Sequence, residues 1–519
     1  MSKPAKPVAS IPEIEAPRHA QWCLALICFL AGAAIMVIEI SAYRLLAPTF
    51  GNSAFTWTAL IGVILIAFSA GGYLGGWLAE KKSDFALLGW LLAGASVLTM
   101  FVPLFNAGLS SSFERSGLIA GPIMISILLF LVPGVLLGAV SPASVRLFSL
   151  LSKDTHVGFA AGTISMLGSL GSFVGTMISG FYLLSTFGVK SIFLGTGLVL
   201  LCLAGLAFYI ARNPIKSQLP IWLAGLVAGG MGLGAQERVV ANVIYEHDSY
   251  YHRIQVLEQG SDSHTERYLH LDSTIEGGMR MRDGGIVLDY QRFWQLPTMK
   301  PGFDVKQALF IGAGAFGMPE RMSAHYPQAT IDVSEIDPQV IETGRKFFKL
   351  DEFPRVKAHA GDARRFLRQN KDAKYDFIFG DAYNGIRQIP VHLASKEFFQ
   401  LVHDRLSPKG IFVMNVISAV EGPRSELLAG MVKTLQEVFP HVELFAVGGA
   451  LNQPQNAMLL ASQESWSAVF TEASYVPGSE LDRIARRRVQ PAHWPTGGVV
   501  FTDDLNPVDA IIARGLMLE

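Results

Sequence analysis

Charge is nearly absent from the first half of this sequence, and this restricts the folds open to it. From Trp22 to Ala235, a stretch of 214 residues, there are 14 Asp, Glu, Lys and Arg residues, whereas 66 follow from Gln236 to the end. Because roughly 20 apolar residues in a helix cross the hydrocarbon core of a bilayer, this half predicts an α-helical transmembrane bundle. About seven apolar runs have the required length, near 22–45, 55–79, 86–107, 119–140, 158–185, 188–211 and 219–235.

A glycine-rich turn follows an apolar strand in the second half. Gly312, Gly314 and Gly317 come directly after this strand, and a helix-length segment then leads to a second apolar strand that ends at Glu335. This order is typical of the first half of a doubly wound, nucleoside-binding sheet. In such a sheet the turn approaches the ligand, and the acid accepts hydrogen bonds from the ribose.

Two further strands, the second of them apolar, also end in acids. Asp362 follows a glycine at the end of the third strand, and Asp381 follows the fourth. Asp362 is placed to accept a hydrogen bond from an adenine amino group, and Asp381 comes to the carboxyl edge of the sheet, where the sites of α/β proteins lie. Four signals in this order predict a site for an adenosyl nucleoside.

The same patterns suggest the domain organisation. We expect a disordered tail over 1–21, a transmembrane domain over 22–235, a small β-rich module over 236–300 and a Rossmann-like catalytic domain over 301–519. The β-rich module is expected because short stretches of alternating polar and apolar residues are separated by glycine pairs. The last domain is expected because strands and helices alternate, as in a sheet with helices on both faces.

At this point the residues resemble a known family. The segment from Tyr251 to about Val416 resembles spermidine synthases and related aminopropyltransferases, including members fused to an apolar N-terminal half. The segment 502–508 is similar to the closing motif of the fused forms. The resemblance implies a doubly wound sheet of the methyltransferase and spermidine synthase type. It also implies decarboxylated S-adenosylmethionine or S-adenosylmethionine as the substrate.

The resemblance implies roles for individual residues. Asp381 matches the catalytic aspartate, which orients and helps deprotonate the attacking amine, and Tyr290 matches a tyrosine of the catalytic pocket. The nucleoside-binding positions are Gly312, Gly314 and Gly317 around the sulfonium nucleoside, Glu335 at the ribose, Asp362 at the adenine, and Asp381.

The sequence also departs from the family pattern. Ala315 stands where the family turn has the aspartate that holds the aminopropyl ammonium, and Asn384 replaces the second acceptor-binding acid. A pocket for a cationic polyamine is therefore expected to be weakened, because carboxylates are what match ammonium groups. Arg292 either pairs with the carboxylate of intact S-adenosylmethionine or faces solvent. The candidate substrate-binding residues are Glu276, Arg292, Tyr383 and Asn384.

Three functions remain open on the sequence. The first is a membrane-bound, aminopropyltransferase-like transferase that releases methylthioadenosine. The second is a methyltransferase, or an elimination or cyclisation enzyme, that uses S-adenosylmethionine and needs no polyamine acceptor. The third is a transporter or sensor whose soluble domain binds nucleosides or polyamines. Asp381 favours an enzyme, because a binding module needs no base beside the sulfonium.

Basic residues between the spans indicate the orientation. If seven spans alternate, most loop Lys and Arg residues lie on the side of the N-terminus, which the positive-inside rule places in the cytosol. Seven crossings would leave the second half outside, away from the compartment where its nucleoside is made. We therefore expect a multi-pass protein of the inner (cell) membrane with its soluble domain on the cytoplasmic face, and a re-entrant or interfacial segment at 219–235.

Partners and metals are constrained only by general features. The expected partners are the lipid bilayer and a small-molecule substrate, and a homodimer is compatible with the sequence. A net charge of −1 gives no indication of nucleic-acid binding. The three cysteines lie in apolar helical runs, and no His or Cys spacing is typical of a metal site, so we expect no metal.

Overall fold

The computed structural model describes residues 19–50, 54–114, 119–151, 156–234, 242–261, 264–272, 274–383, 388–471 and 475–517. The chain divides into two compact units, and the second begins at Val239. The first unit is helical, and the second contains all of the strands that the described ranges include.

Long apolar helices form the first unit. They are α1 Ala20–Phe50, α2 Ala54–Lys81, α3 Phe85–Glu114, α4 Ala120–Leu151, α5 Val157–Ile178, α6 Val189–Ile210 and α7 Ile215–Gly234. A π-helical turn, Ser179–Leu183, and the turn Leu184–Thr186 extend α5. In the described part of the chain, α1 to α6 are long and apolar enough to cross a membrane. The seventh expected run forms α7, which is not among these six described spans; it is shorter than the others and has Lys216 and Gln218 in its first turns.

Glycines bring the helices of this unit close together. A Cβ atom at Gly171 of α5 would lie 1.9 Å from the carbonyl oxygen of Phe29 in α1, and one at Gly71 of α2 would lie 2.3 Å from that of Val135 in α4. Only glycine permits backbones to approach this closely. Such packing is the usual way in which small residues join helices in lipid, where no hydrophobic effect drives their association.

The second unit begins with an antiparallel sheet in which neighbouring strands pair in chain order. Its strands are β1 Val243–Asp248, β2 Arg253–Gln259, β3 Glu266–Leu271, β4 Thr274–Arg280 and β5 Gly285–Ile286. The 3-10 helix Asp289–Gln295 and the turn Leu296–Met299 follow this sheet. This helix matters for the site because it carries Tyr290.

A seven-stranded sheet forms the rest of the unit. Its strands are β6 Gln307–Ile311, β7 Thr330–Glu335, β8 Val356–Ala360, β9 Tyr375–Gly380, β10 Leu406–Ser418, β11 His441–Ala446 and β12 Gln455–Ser462. The strand order is β11-β12-β10-β9-β6-β7-β8. The central strands pair in parallel, whereas β12 is antiparallel to both of its neighbours. This order confirms the predicted Rossmann-like, doubly wound sheet.

Helices cover both faces of this sheet. They are α8 Gly317–His325, α9 Pro338–Phe347, α10 Ala363–Gln369, α11 Lys396–Arg405, α12 Glu426–Gln436, α13 Ser467–Thr471, α14 Glu480–Arg486 and α15 Val508–Met517. Short 3-10 turns occur at Leu350–Glu352, Val391–Leu393, Pro423–Ser425 and Pro491–His493. Successive residues of β6 pack into two separate cores: Phe310 belongs to one, and Leu309 and Ile311 belong to the other. From Ala308 to Ile311 the strand is apolar because it is buried on both sides.

Candidate active site

The glycine turn lies at the end of β6, beside the end of β9. The backbone φ angles of Gly312 and Gly314 are +90° and +48°, which disfavour any residue with a Cβ atom. A Cβ atom at Gly312 would lie 2.5 Å from the carbonyl oxygen of Asp381. The amide of Asp381 donates to the carbonyl of Ile311 at 2.8 Å. Glycine therefore allows the turn and Asp381 to occupy the same edge of the sheet. Gly317 begins α8.

Glu335 connects the end of β7 to the same turn. Its carboxylate accepts hydrogen bonds from the backbone amides of Ala313 at 3.0 Å and Asp337 at 2.9 Å. The residue is only 7% exposed, and burial raises the pKa of its carboxyl although the two amides favour the charged form. Each carboxylate oxygen keeps a further lone pair, so the group can still accept from ribose hydroxyls.

Asp362 lies on the other side of β7, at the start of α10. Its carboxylate accepts a hydrogen bond from the backbone amide of Arg365 at 2.8 Å and thereby caps the helix. Its second oxygen lies 2.7 Å from Nε2 of His392. This hydrogen bond, with that from Arg365, outweighs partial burial and holds the pKa of the Asp362 carboxyl below its usual value. The carboxylate is therefore charged and oriented at neutral pH.

Asp381 opens into a cavity of about 360 Å³. Asn415 donates to the Asp381 carboxylate at 2.8 Å, and the hydroxyl of Tyr290 also hydrogen-bonds to it. Burial raises the pKa of Asp381 to about 6 although both hydrogen bonds oppose the rise. The cavity is lined by Thr274, Ile275, Glu276, Leu288, Asp289, Tyr290, Asp381, Tyr383, Asn415, Ile417, Val447 and Asn456.

The cavity wall is acidic. Glu276 accepts a hydrogen bond from the hydroxyl of Thr274 at 2.5 Å, and burial, with the nearby charge of Asp381, raises the pKa of Glu276 to about 7. Asp289 is a third acid of the lining, and its carboxylate is paired with Arg292 and Arg487. None of the described lining residues is Lys or Arg. The electrostatic potential of this wall favours a positively charged ligand, such as an ammonium or a sulfonium.

The tyrosines of the cavity are held by the backbone around them. The hydroxyl of Tyr290, which hydrogen-bonds to Asp381, also lies 3.3 Å from the carbonyl oxygen of Glu276. The hydroxyl of Tyr383 donates to the carbonyl of Asn415 at 3.0 Å and accepts from the amide of Ile417 at 2.9 Å. Burial, reinforced by the charge of Asp381, raises the pKa of both phenols well above the usual value. Both tyrosines are therefore neutral and act as hydrogen-bonding groups.

The structure does not bring Arg292 into the cavity lining. Its guanidinium pairs with Asp289 at 3.2 Å and with Glu480 at the start of α14. Arg487 reaches the same Asp289 carboxylate at 2.8 Å. The expected pairing of Arg292 with a substrate carboxylate is therefore corrected, because these acids already neutralise the guanidinium. Asn384 lies outside the residues that the structure describes.

Three polar residues of the site had not been predicted. Asn456 donates to the side-chain oxygen of Asn415 at 3.1 Å, and Asn415 in turn donates to Asp381. Gln291 is 1% exposed, lies against Gly277, and its Oε1 has no hydrogen-bond partner in the described part of the chain. Asn415 could have been found from the sequence, because it is a polar residue inside an otherwise apolar run.

The arrangement as a whole fits an adenosyl sulfonium. Glu335 and Asp362 offer acceptors along the carboxyl edge of the sheet, and Asp381 with Glu276 offers negative charge beyond the glycine turn. Among the described residues, no group of three or more His, Cys, Asp or Glu side chains has the spacing to hold a metal ion.

The chain is similar in sequence to a family of known proteins. Residues 295–448 match the model of the spermine/spermidine synthase domain. A polyamine aminopropyltransferase from Vibrio vulnificus is 26% identical over 290 residues, which cover 52% of this chain and 92% of that relative. A polyamine aminopropyltransferase from Corynebacterium efficiens is 24% identical over 439 residues, which cover 79% of this chain and 80% of that relative. A solved structure, a probable spermidine synthase from Corynebacterium glutamicum, matches with a TM-score of 0.40 at 21% identity and covers 49% of this chain and 96% of that one.

Proposed function

We propose that this chain is an aminopropyltransferase-like transferase, because residues 295–448 match the model of the spermine/spermidine synthase domain. Its proposed substrates are decarboxylated S-adenosylmethionine and an amine. The observation that carries the proposal is Asp381, a carboxyl beside the glycine turn in a cavity whose described wall contains acids and no Lys or Arg. Such a wall favours both the sulfonium and the amine, which is protonated in water.

Asp381 is the proposed general base. With a pKa of about 6, its carboxylate is mostly ionised at neutral pH and accepts a hydrogen bond from the nitrogen of the amine substrate. Asp381 first takes a proton from the substrate ammonium, and the nitrogen lone pair that this frees attacks the carbon next to sulfur, so that a C–N bond forms while the C–S bond breaks. Sulfur keeps the bonding electron pair and leaves as the neutral thioether methylthioadenosine. The proton lost by the nitrogen passes to Asp381 and then to water.

Glu276 is the proposed partner of the aminopropyl ammonium. The usual aspartate of the turn is Ala315 here, but the carbonyl of Glu276 would lie only 2.7 Å from a Cβ atom at Gly314. The Glu276 backbone therefore lies against the turn, and its carboxyl faces the cavity. The same acids disfavour intact S-adenosylmethionine, because its carboxylate would meet like charges without a cation to match it.

Product analysis tests the proposal. The purified full-length chain is given either decarboxylated or intact S-adenosylmethionine, each with and without putrescine, and the products are identified by mass spectrometry. We expect methylthioadenosine and an aminopropylated amine only from the decarboxylated nucleoside with amine. Methylthioadenosine from the intact nucleoside alone would instead establish elimination. Binding without turnover would establish a sensor.

A variant at Asp381 tests its role as the base. We expect Asp381→Asn to lower kcat about 10²- to 10⁴-fold, the usual contribution of a general base. Asp404→Asn, at an exposed acid of α11, is the control and should leave kcat unchanged. An Asp381→Asn variant with the activity of the wild type would refute the proposed role.

We also propose that the chain is a multi-pass protein of the cell membrane, with the transmembrane domain at 22–235 and the β-rich and catalytic domains at 236–300 and 301–519. Six candidate spans support this, because an even number leaves the basic N-terminal tail and the catalytic domain on the same, cytoplasmic side. A cysteine at exposed Lys409, in a cysteine-free background, should react with an impermeant maleimide only after cell lysis. Reaction in intact cells would place the domain outside. A homodimer stays a prediction that light scattering in detergent can test.

A further inference from the structure

An imidazole lies beside the acid that is expected at the adenine. Nε2 of His392, in the turn Val391–Leu393, is 2.7 Å from Oδ2 of Asp362, and the amide of Arg365 donates to Oδ1 at 2.8 Å. We propose that His392 is a positioning residue that orients Asp362 to recognise the 6-amino group of the adenine ring. This inference rests on the proposed use of an adenosyl nucleoside.

The hydrogen bonds of Asp362 support such a role. A carboxylate has about four lone-pair positions, and the contacts with Arg365 and His392 occupy one on each oxygen. Two contacts on different oxygens fix the plane of the carboxylate, so the remaining positions have defined directions. His392 also favours the charged form of Asp362, which is the stronger acceptor for an amino group.

The C-terminal segment holds His392 in place. The guanidinium of Arg364 donates to both carboxylate oxygens of Asp503, at 2.7 and 2.5 Å, and to the carbonyl of His392 at 3.3 Å. The hydroxyl of Ser395 donates to the same Asp503 carboxylate at 2.6 Å. Arg364 is buried whereas Asp503 is partly exposed, and Asp503 joins the start of α10 to the segment that carries His392.

Backbone contacts complete this attachment. Asn506 donates through its side chain to the carbonyls of Val391 at 2.8 Å and Ala394 at 3.3 Å, and the amide of Lys396 donates to the carbonyl of Phe501 at 2.8 Å. The segment 501–506 thus runs along both ends of the His392 turn. The sequence alone gave the closing motif, 502–508, no role. In this proposal the motif sets the position of the His392 imidazole relative to Asp362.

The test compares two nucleosides that differ in the recognised group. Methylthioadenosine carries the 6-amino group, and methylthioinosine carries an oxygen in its place. Their affinities for the full-length chain are measured by calorimetry. We expect the wild type to bind methylthioadenosine more tightly. His392→Ala should weaken methylthioadenosine binding about tenfold, as for loss of an oriented, charged hydrogen bond, and leave methylthioinosine binding unchanged.

Matched variants make the result specific. Asp503→Asn should lower the ratio of the affinity for methylthioadenosine to the affinity for methylthioinosine. Asp504→Asn, at the exposed neighbouring residue, should leave this ratio unchanged. His403→Ala removes a surface imidazole that also contacts an aspartate, Asp404 at 3.2 Å, and should have no effect. If His392→Ala left this affinity ratio unchanged, or weakened the binding of both nucleosides equally, the role of His392 would be refuted and the proposed function would stand. A wild type that binds neither nucleoside would overturn the proposed function, and the assignment with it.

Discussion

Glu276 gives the sharpest functional prediction, because its carboxyl titrates near neutral pH in the same cavity as Asp381. Burial and then the charge of Asp381 raise the pKa of Glu276 to about 7, while the hydrogen bond from Thr274 opposes the rise. Burial raises the pKa of Asp381 to about 6. As pH increases, the cavity therefore gains one negative charge at Asp381 and then a second at Glu276.

The substitution Glu276→Gln removes the second charge and keeps the size of the side chain. We expect kcat/KM for a cationic substrate to fall about 10- to 100-fold where Glu276 is ionised in the wild type, which corresponds to the loss of a hydrogen bond to a charged partner. Below the pKa of Glu276 the wild-type carboxyl is protonated, so the two proteins should react at similar rates.

The assay is the ratio of kcat/KM for the wild type to that for Glu276→Gln, measured across pH. The titrations of the acceptor and of Asp381 affect both proteins and largely cancel in this ratio. We expect it to rise with pH with a midpoint of about 7. Thr274→Val should move the midpoint upward, because it removes the hydrogen bond that lowers the pKa. The control Glu437→Gln, at an exposed partner of Lys396, should give a flat ratio. A flat ratio for Glu276→Gln would refute the reasoning.

Three further predictions concern stability and packing. Burial raises the pKa of Glu320 from 4.5 to about 9, so the free energy of unfolding should fall between these pH values as pH rises. Glu320→Gln should therefore raise the thermal midpoint more at alkaline than at acidic pH. An equal rise at both pH values would count against this. Gly312→Ala should destabilise the sheet edge by about 1–3 kcal/mol and weaken calorimetric binding of methylthioadenosine, whereas Gly302→Ala, which also has a positive φ but open space around it, should not affect binding. Gly171→Leu should lower the thermal stability of the helical unit in detergent, and Gly162→Leu, which has no neighbour within 4 Å, should be tolerated; equal losses would argue against close packing of α1 and α5.

The residues at the ends of the parallel strands were predictable from the sequence. Gly312 and Asp381 each follow an apolar strand and Glu335 ends one, and parallel strands bring their carboxyl ends to one edge of a sheet. The order of strands, turn and acids along the chain is therefore enough to predict that these residues meet at one edge of the sheet. The doubly wound α/β fold was predictable for a similar reason: apolar strands that alternate with helices form a sheet that helices cover on both faces.

Other features depend on contacts between distant parts of the chain. For Arg292 the sequence left open a pairing with the substrate and exposure to solvent, whereas its partner Glu480 lies 188 positions further along, and no local pattern identifies it. Asn415 and Asn456 meet because β12 pairs antiparallel with β10. The seventh apolar run forms a helix, as its composition suggests, but polar residues in its first turns exclude it from the described spans.

The most direct test of the account is a calorimetric titration of the full-length wild type with decarboxylated and intact S-adenosylmethionine at neutral pH. The acid-lined cavity predicts that the decarboxylated sulfonium binds at least about tenfold more tightly, because the extra carboxylate of the intact nucleoside meets like charges. A clear preference for the intact nucleoside, or no binding of either, would contradict the central claim that this site holds a cationic adenosyl nucleoside.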